Sequence, residues 1–266
     1  MKLIVDAGGT KTEWAIVNSD SAVHIKTCTG VNAVLYDVDA MKSTFADALC
    51  DVDTSDLTEI YYYGAGCATE TVCNKVMQAL PKAPVVQVNS DLLGAARALF
   101  GSRKGLAGIM GTGSNTGLYD GTNIIKNMPP LGFILGDEGS GAAMGRELLR
   151  KVYRFGLLRN EFELWLKADY GEVLRKVYRE PGANQFLGSL TRFVSEHRRE
   201  CKEVISNTFT PLFVHIKEYY GLEEVGFVGG LADTFSSEIC EIAGLHGITV
   251  TKILKRPIPG LIEYHT

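Results

Sequence analysis

Val5-Asp6-Ala7-Gly8-Gly9-Thr10-Lys11-Thr12-Glu13-Trp14 decides the fold. An apolar strand over 3–5 runs into a carboxylate, turns on two glycines and returns as a second strand over 14–17. Glycine lets a backbone take positive φ and come close to a ligand. Successive N–H groups in such a turn form an anion-binding concavity. Gly8, Gly9, Thr10, Lys11 and Thr12 therefore read as a phosphate cradle on a β-hairpin. The same residues also suit an ordinary hairpin turn, so the weight of the reading comes from what recurs downstream.

Working outward, a third strand is expected over 23–27. One helical face follows, with Val38, Met41, Phe45, Ala48 and Leu49 in phase. A strand over 57–63, a helix over 69–80, a strand over 85–88 and a helix opened by Asn89-Ser90-Asp91 and running to Phe100 complete the first third. The pattern then repeats: an apolar strand over 106–110, the turn Gly111-Thr112-Gly113-Ser114-Asn115, a return over 116–119, the hairpin signal Asp120-Gly121 and a strand over 122–126. From 139 to 221 the chain reads as helical. A strand over 225–228, Gly229-Gly230, a helix over 233–243, a strand over 248–254 and a terminal helix over 257–265 follow. Alternating elements point to an α/β fold. Two similar halves point to two domains around a cleft, 1–105 and 106–266, with the terminal helix free to pack back on the first.

Composition excludes several classes. The 266 residues are 45% hydrophobic and 22% charged with a net charge of −4, so there is no basic footprint for nucleic acid. No signal peptide and no apolar run of about 20 residues is visible, so no membrane partner is expected. The six cysteines form no C-x-x-C pair and the five histidines show no metal-ligand spacing. Free thiols and a cytoplasmic location are the expectation.

Three further segments carry chemistry. Asp91 stands at a helix start, where it suits an N-cap and equally a general base for a substrate hydroxyl. Gly136-Asp137-Glu138-Gly139-Ser140-Gly141 places carboxylates at a helix start, which the dipole alone favours, but its glycines imply a close approach to a ligand, with Asp137 the better candidate. Gly229-Gly230-Leu231-Ala232 joins a strand to a helix and offers bare backbone to a flat ring, or plain packing. No G-x-x-x-x-G-K-[ST] run is present, which excludes a P-loop.

In order, Asp6-Ala7-Gly8-Gly9-Thr10-Lys11-Thr12, Asp91-Leu92-Leu93-Gly94-Ala95-Ala96-Arg97-Ala98, Gly111-Thr112-Gly113-Ser114-Asn115, Leu135-Gly136-Asp137-Glu138-Gly139-Ser140 and the tail Pro257-Ile258-Pro259-Gly260-Leu261-Ile262 resemble the sugar kinase, chaperone and actin superfamily. Within it the chain is similar to the N-acetylglucosamine kinase and BadF/BadG-type ATPase group. The resemblance implies two ribonuclease-H-like domains around an ATP-binding cleft, ATP with Mg²⁺ as cofactors, and an amino sugar as acceptor. It implies Asp91 as catalytic base and Asp6 near Mg²⁺ through water. Phosphate contacts are implied at Gly8, Gly9, Thr10, Lys11, Thr12, Gly111, Thr112 and Gly113, and nucleoside-side contacts at Gly229 and Gly230. Sugar contacts are implied at Asn32, Asp91, Ser114, Asn115 and Asp137. A homodimer is in keeping with it. Ala7 stands where serine or glycine is usual, and Gly230 where serine is frequent. An ATPase activator with an iron–sulfur cluster between subunits, and a non-catalytic sugar or nucleotide sensor, are the alternatives; the first needs two cysteines per subunit, and Cys67 and Cys73 are the nearest pair.

Overall fold

Gly8 and Gly9 turn the chain between β1 (Lys2–Ala7) and β2 (Lys11–Val17), and the Gly8 amide closes the turn on the Lys11 carbonyl at 2.9 Å. In the computed structural model, which describes residues 1–19 and 22–266, these strands found the first of two units. That unit comprises Met1–Arg103, Gly121–Asn123 and Pro257–Thr266. It continues through β3 (Val23–Thr29), α1 (Val38–Ala48), β4 (Glu59–Gly64), α2 (Glu70–Ala79), β5 (Val85–Ser90) and α3 (Asp91–Phe100). The sheet order is β3-β2-β1-β4-β5, antiparallel among the first three and parallel across β1, β4 and β5.

Strand alternation sorts this sheet into two faces. Leu3, Val5, Trp14, Ile16, Ile60 and Tyr62 face α1 and α2, where they close on Met41, Phe45 and Val76. Trp14 meets Phe45 edge-on at 5.1 Å between centroids. The other face carries Asp6 in register with Glu13 and Tyr63, and Tyr63 in register with Asn89. The terminal helix, α13 (Ile258–His265), packs with α3 against β1.

The second unit comprises Lys104–Asp120 and Ile124–Arg256. It holds β6 (Gly105–Met110), β7 (Ser114–Tyr119), β8 (Ile124–Asn127), β9 (Glu224–Val228) and β10 (Thr249–Leu254) in the order β10-β9-β6-β7-β8. Read in chain order, this repeats the permutation of the first sheet, which is the physical form of the duplicated pattern. Between β8 and β9 lie α4 (Gly132–Leu135), α5 (Gly141–Phe155), α6 (Arg159–Leu166), α7 (Tyr170–Tyr178), α8 (Ala183–Ser189), α9 (Thr191–Glu196) and α10 (Lys202–Tyr220). Leu148, Phe162, Phe193, Phe209 and Phe213 from these helices form its core with Phe227 of β9.

Several expected boundaries move. Ser114 and Asn115 begin β7 instead of ending the turn, because their backbones pair with Met110 and Ile109. The helix expected from Asp233 starts at Gly230 as α11 (Gly230–Thr234), breaks at Phe235 (φ −110°, ψ 28°) and resumes as α12 (Ser236–Leu245). The one-turn helix α4 has no side-chain cap and no sequence signal.

Candidate active site

The carboxyl ends of β1, β4 and β5 place Ala7, Gly64 and Ser90 in one register row. Ligands of open α/β sheets gather at such ends. Asp91 follows at the first position of α3. Ser90, not Asp91, is the N-cap: its hydroxyl accepts the Leu93 amide at 3.2 Å. The cap role expected for Asp91 is thereby taken by its neighbour. Asp91 accepts the Leu92 amide through Oδ1 at 2.8 Å. It keeps some accessible surface, yet its surroundings are dry enough that burial raises its pKa against the pull of the Leu92 and Asp91 amides.

Asp6 shares this environment. Burial, then the negative charges of Asp91 and Glu13, push its carboxyl up to about 7 against the pull of Lys11. Glu13 is buried, and the Lys11 ammonium lies 2.6 Å from its Oε1. Reasoning from motifs overlooked Glu13, although the hairpin register that puts it opposite Asp6 was its signal. A buried carboxyl raised by two neighbouring negative charges asks for a cation. Oxygen donors in this number suit Mg²⁺, which keeps several waters and takes one or two carboxylates. Among the described residues no group of three or more His, Cys, Asp and Glu side chains forms a metal cage. The hairpin turn beside them has room: a Cβ on Gly9 would meet nothing within 4 Å, and the buried Thr12 hydroxyl has no hydrogen-bond partner.

This geometry has a measurable cost. Folded Asp6 holds a proton up to about pH 7, whereas an unfolded aspartate releases it near 4. Between those values the folded state binds more protons, so the stability is fully present below about 4 and is lost as pH rises through about 7. Asp6→Asn should therefore be more stable than the parent at pH 8 in EDTA, by roughly 4 kcal/mol for a shift to about 7. That gain should shrink toward pH 4. Thermal melts across pH check it; a gain that does not vary with pH would contradict the assignment.

Asn32 lies in the loop after β3. Its Oδ1 accepts the Val34 amide at 3.0 Å, the turn-forming bond of an ordinary loop asparagine, in which Nδ2 takes no part. The Asn32 loop is tied to the end of β4, since Ala33 donates to Ala65 at 3.1 Å.

In the second unit, the turn Gly111-Thr112-Gly113 is anchored on α5. The Gly141 and Ala142 amides donate to the Gly111 and Thr112 carbonyls at 2.8 and 3.0 Å. Those bonds satisfy first-turn donors that a helix leaves open. The Ser140 hydroxyl caps the same helix. Asp137 takes a left-handed backbone, φ 58°, uncommon outside glycine. Its pKa is raised by burial, countered by the Ser114 amide. Gly113 comes so near that a Cβ would lie 3.1 Å from Asp137 Oδ2. Ser114, Asn115 and Asp137 line one cavity of about 480 Å³, with Met128, Leu131 and Leu212 as its apolar wall. Ser114 donates to the Glu138 carbonyl at 2.8 Å, and Asn115 Oδ1 accepts from Asn127 at 2.8 Å. Gly229 sits against Met110, the last residue of β6, so the glycine pair and the 111–113 turn share one end of the sheet.

No protein-family model and no curated protein matches the sequence. Among solved structures, a Porphyromonas gingivalis protein provisionally named N-acetylglucosamine kinase is 32% identical over 100% of this chain and 98% of its own, with a TM-score of 0.92. The chain belongs to the N-acetylglucosamine kinase-like family. A Chromobacterium violaceum protein, also provisionally named N-acetylglucosamine kinase, shares the fold at 16% identity, covering 100% of this chain and 98% of its own, with a TM-score of 0.76. So does a ROK-family glucokinase from Streptomyces griseus solved with glucose and AMPPNP, at 16% identity, 98% and 97% coverage and a TM-score of 0.59. The fold is the two-domain, actin-like ATPase fold. Among the described residues no helix is long and apolar enough to cross a membrane.

Proposed function

We propose that this protein transfers the γ-phosphoryl group of ATP to a hydroxyl of an amino sugar, with C6 of N-acetylglucosamine the acceptor the reading favours. The observation that carries it is Asp91, a carboxylate of raised pKa at the carboxyl end of the parallel strands β1, β4 and β5, whose negative charge raises Asp6. A general base works best when its pKa approaches the operating pH. Asp91 would orient the acceptor hydroxyl and take its proton as the oxygen attacks phosphorus. Asp6 would hold Mg²⁺ through water; when bound, the ion neutralises phosphate charge. Gly8, Gly9, Thr10, Lys11 and Thr12 would offer amides, hydroxyls and an ammonium to phosphate oxygens, as would Gly111, Thr112 and Gly113. Gly229 and Gly230 would take the nucleoside. Asn32 Nδ2, Ser114, Asn115 and Asp137 would meet sugar hydroxyls. Positioning and charge stabilisation supply most of the rate in such transfers.

The activator reading finds poor support. A cluster shared between subunits needs thiols at the surface, whereas Cys67 is buried and Cys73 half-buried.

ADP release with ATP and Mg²⁺ across hexoses, amino sugars and N-acetylated sugars tests the proposal. The expected result is ADP formation that depends on one amino sugar, with an equal amount of sugar phosphate. Hydrolysis without sugar would favour the ATPase, and tight sugar binding without product would favour the sensor.

A further inference from the structure

Besides Asp91 at its first position, α3 carries one other charged residue, Arg97. Much of its buried face is small, with Gly94, Ala95, Ala96 and Ala98. Such a face approaches the sheet closely: a Cβ on Gly94 would lie 2.8 Å from the Tyr63 ring. Leu92, Leu93 and Leu99 are its large buried side chains, so the middle of the helix offers few ridges to fix it along its axis.

Arg97 supplies a directional contact. Its Nη1 donates to the Tyr63 hydroxyl at 2.8 Å, and its guanidinium lies over the Tyr63 and Tyr264 rings, 5.7 and 5.1 Å from their centroids. Having accepted from Arg97, the Tyr63 hydroxyl has its own proton to give, and His265 Nε2 lies 2.8 Å away. The histidine is suited to accept: burial, Arg97 and Lys2 push its pKa down to about 4, so it is neutral at pH 7. Its ring stacks on Tyr61 at 3.7 Å, and its carbonyl accepts from Lys2 at 2.9 Å. Backbone contact adds to this, since a Cβ on Gly260 of α13 would lie 2.5 Å from the Ala98 carbonyl oxygen. Tyr63 is also the β4 residue in register with Asp6.

We propose that Tyr63, Arg97 and His265 are positioning residues: the C-terminal helix, through this network, sets the axial position of α3 and with it the placement of Asp91 relative to Asp6. This rests on the reading of Asp91 as the base. A helix transmits axial displacement along its length, and Arg97 stands six residues, about 9 Å, from Asp91. A small slip at one end therefore appears at the other.

The test uses Tyr63→Phe, which keeps the ring and loses both hydrogen bonds, with His265→Ala and the conservative His265→Gln. Val76→Ala, in the core on the opposite face, controls for general destabilisation. The first readout needs no turnover: carboxyl titration of Asp6 and Asp91 by ¹³C NMR on the full chain. We expect the coupled pair to titrate differently in Tyr63→Phe and His265→Ala, to return toward the parent in His265→Gln and to be unchanged in Val76→Ala. The second readout is kinetic. Tyr63→Phe should lower kcat by about 10- to 100-fold, as misplacement of the order of 1 Å does, with KM for sugar and ATP within about twofold. Unchanged carboxyl titration in Tyr63→Phe overturns the proposal, as does a parent-like kcat. A parent protein that phosphorylates no sugar would sink the functional reading instead, and the titration would still decide whether the network places Asp91.

Discussion

Asp91→Asn is expected to bind sugar and ATP as the parent does and to lower kcat by about 10²–10⁴-fold, the usual contribution of a general base. The substitution is structurally mild. Ser90 caps α3, so Asp91 is not needed to start the helix. Asparagine keeps the volume and the Oδ1 that accepts the Leu92 amide. The lost property is the capacity to take a proton, which burial strengthens in the parent by raising the pKa. A fall in kcat and kcat/KM together marks an interaction made only in the transition state. Calorimetry of sugar and nucleotide binding, with single-turnover kinetics, separates the two. Full activity in Asp91→Asn would remove Asp91 from the base role.

Gly229→Ala should be the most destructive small substitution in the second unit. The residue has φ 140° and ψ 157°, a region open to glycine and costly for L side chains. Its added methyl would lie 2.1 Å from the Met110 carbonyl oxygen and 2.7 Å from the carbonyl carbon. Those are backbone atoms at the end of a central strand and cannot swing aside. Strain and overpacking together should cost about 2–5 kcal/mol, and relief by moving β6 would displace the Gly111–Gly113 turn. Urea unfolding should show the loss, and nucleotide affinity should fall with it. Gly230→Ala is the contrast. It opens α11, and nothing lies within 4 Å of its added methyl. Stability there should hold or rise by up to about 1 kcal/mol. A large loss of stability at Gly230, or none at Gly229, would contradict this division between packing and open space.

Local chemistry was legible because it is written in consecutive residues. The alternation that makes β1 and β2, the glycines of their turn, the placement of Asp91 at a helix start and the repeat of the pattern at 106–126 all follow from neighbours in sequence. The same holds for the terminal helix. Its Pro257 and Pro259 suit a first turn, where the missing amide costs nothing. That determined the α/β class, the duplicated plan and the motifs carrying the resemblance.

What remained depends on register and on packing between distant segments, which spacing does not encode. Strand pairing put Glu13 and Tyr63 beside Asp6. Competition between adjacent side chains gave the cap of α3 to Ser90, because only one side chain can accept the Leu93 amide in that geometry. Burial raised both Asp6 and Asp91, and the negative charge of Asp91 raised Asp6 further, effects of low dielectric and of a neighbour that spacing does not encode. The return of His265 to Tyr63, 202 residues away along the chain, is the clearest case. The sequence determined that both residues exist and which local elements hold them; only the tertiary structure, by packing β4 and the terminal helix against α3, made them partners.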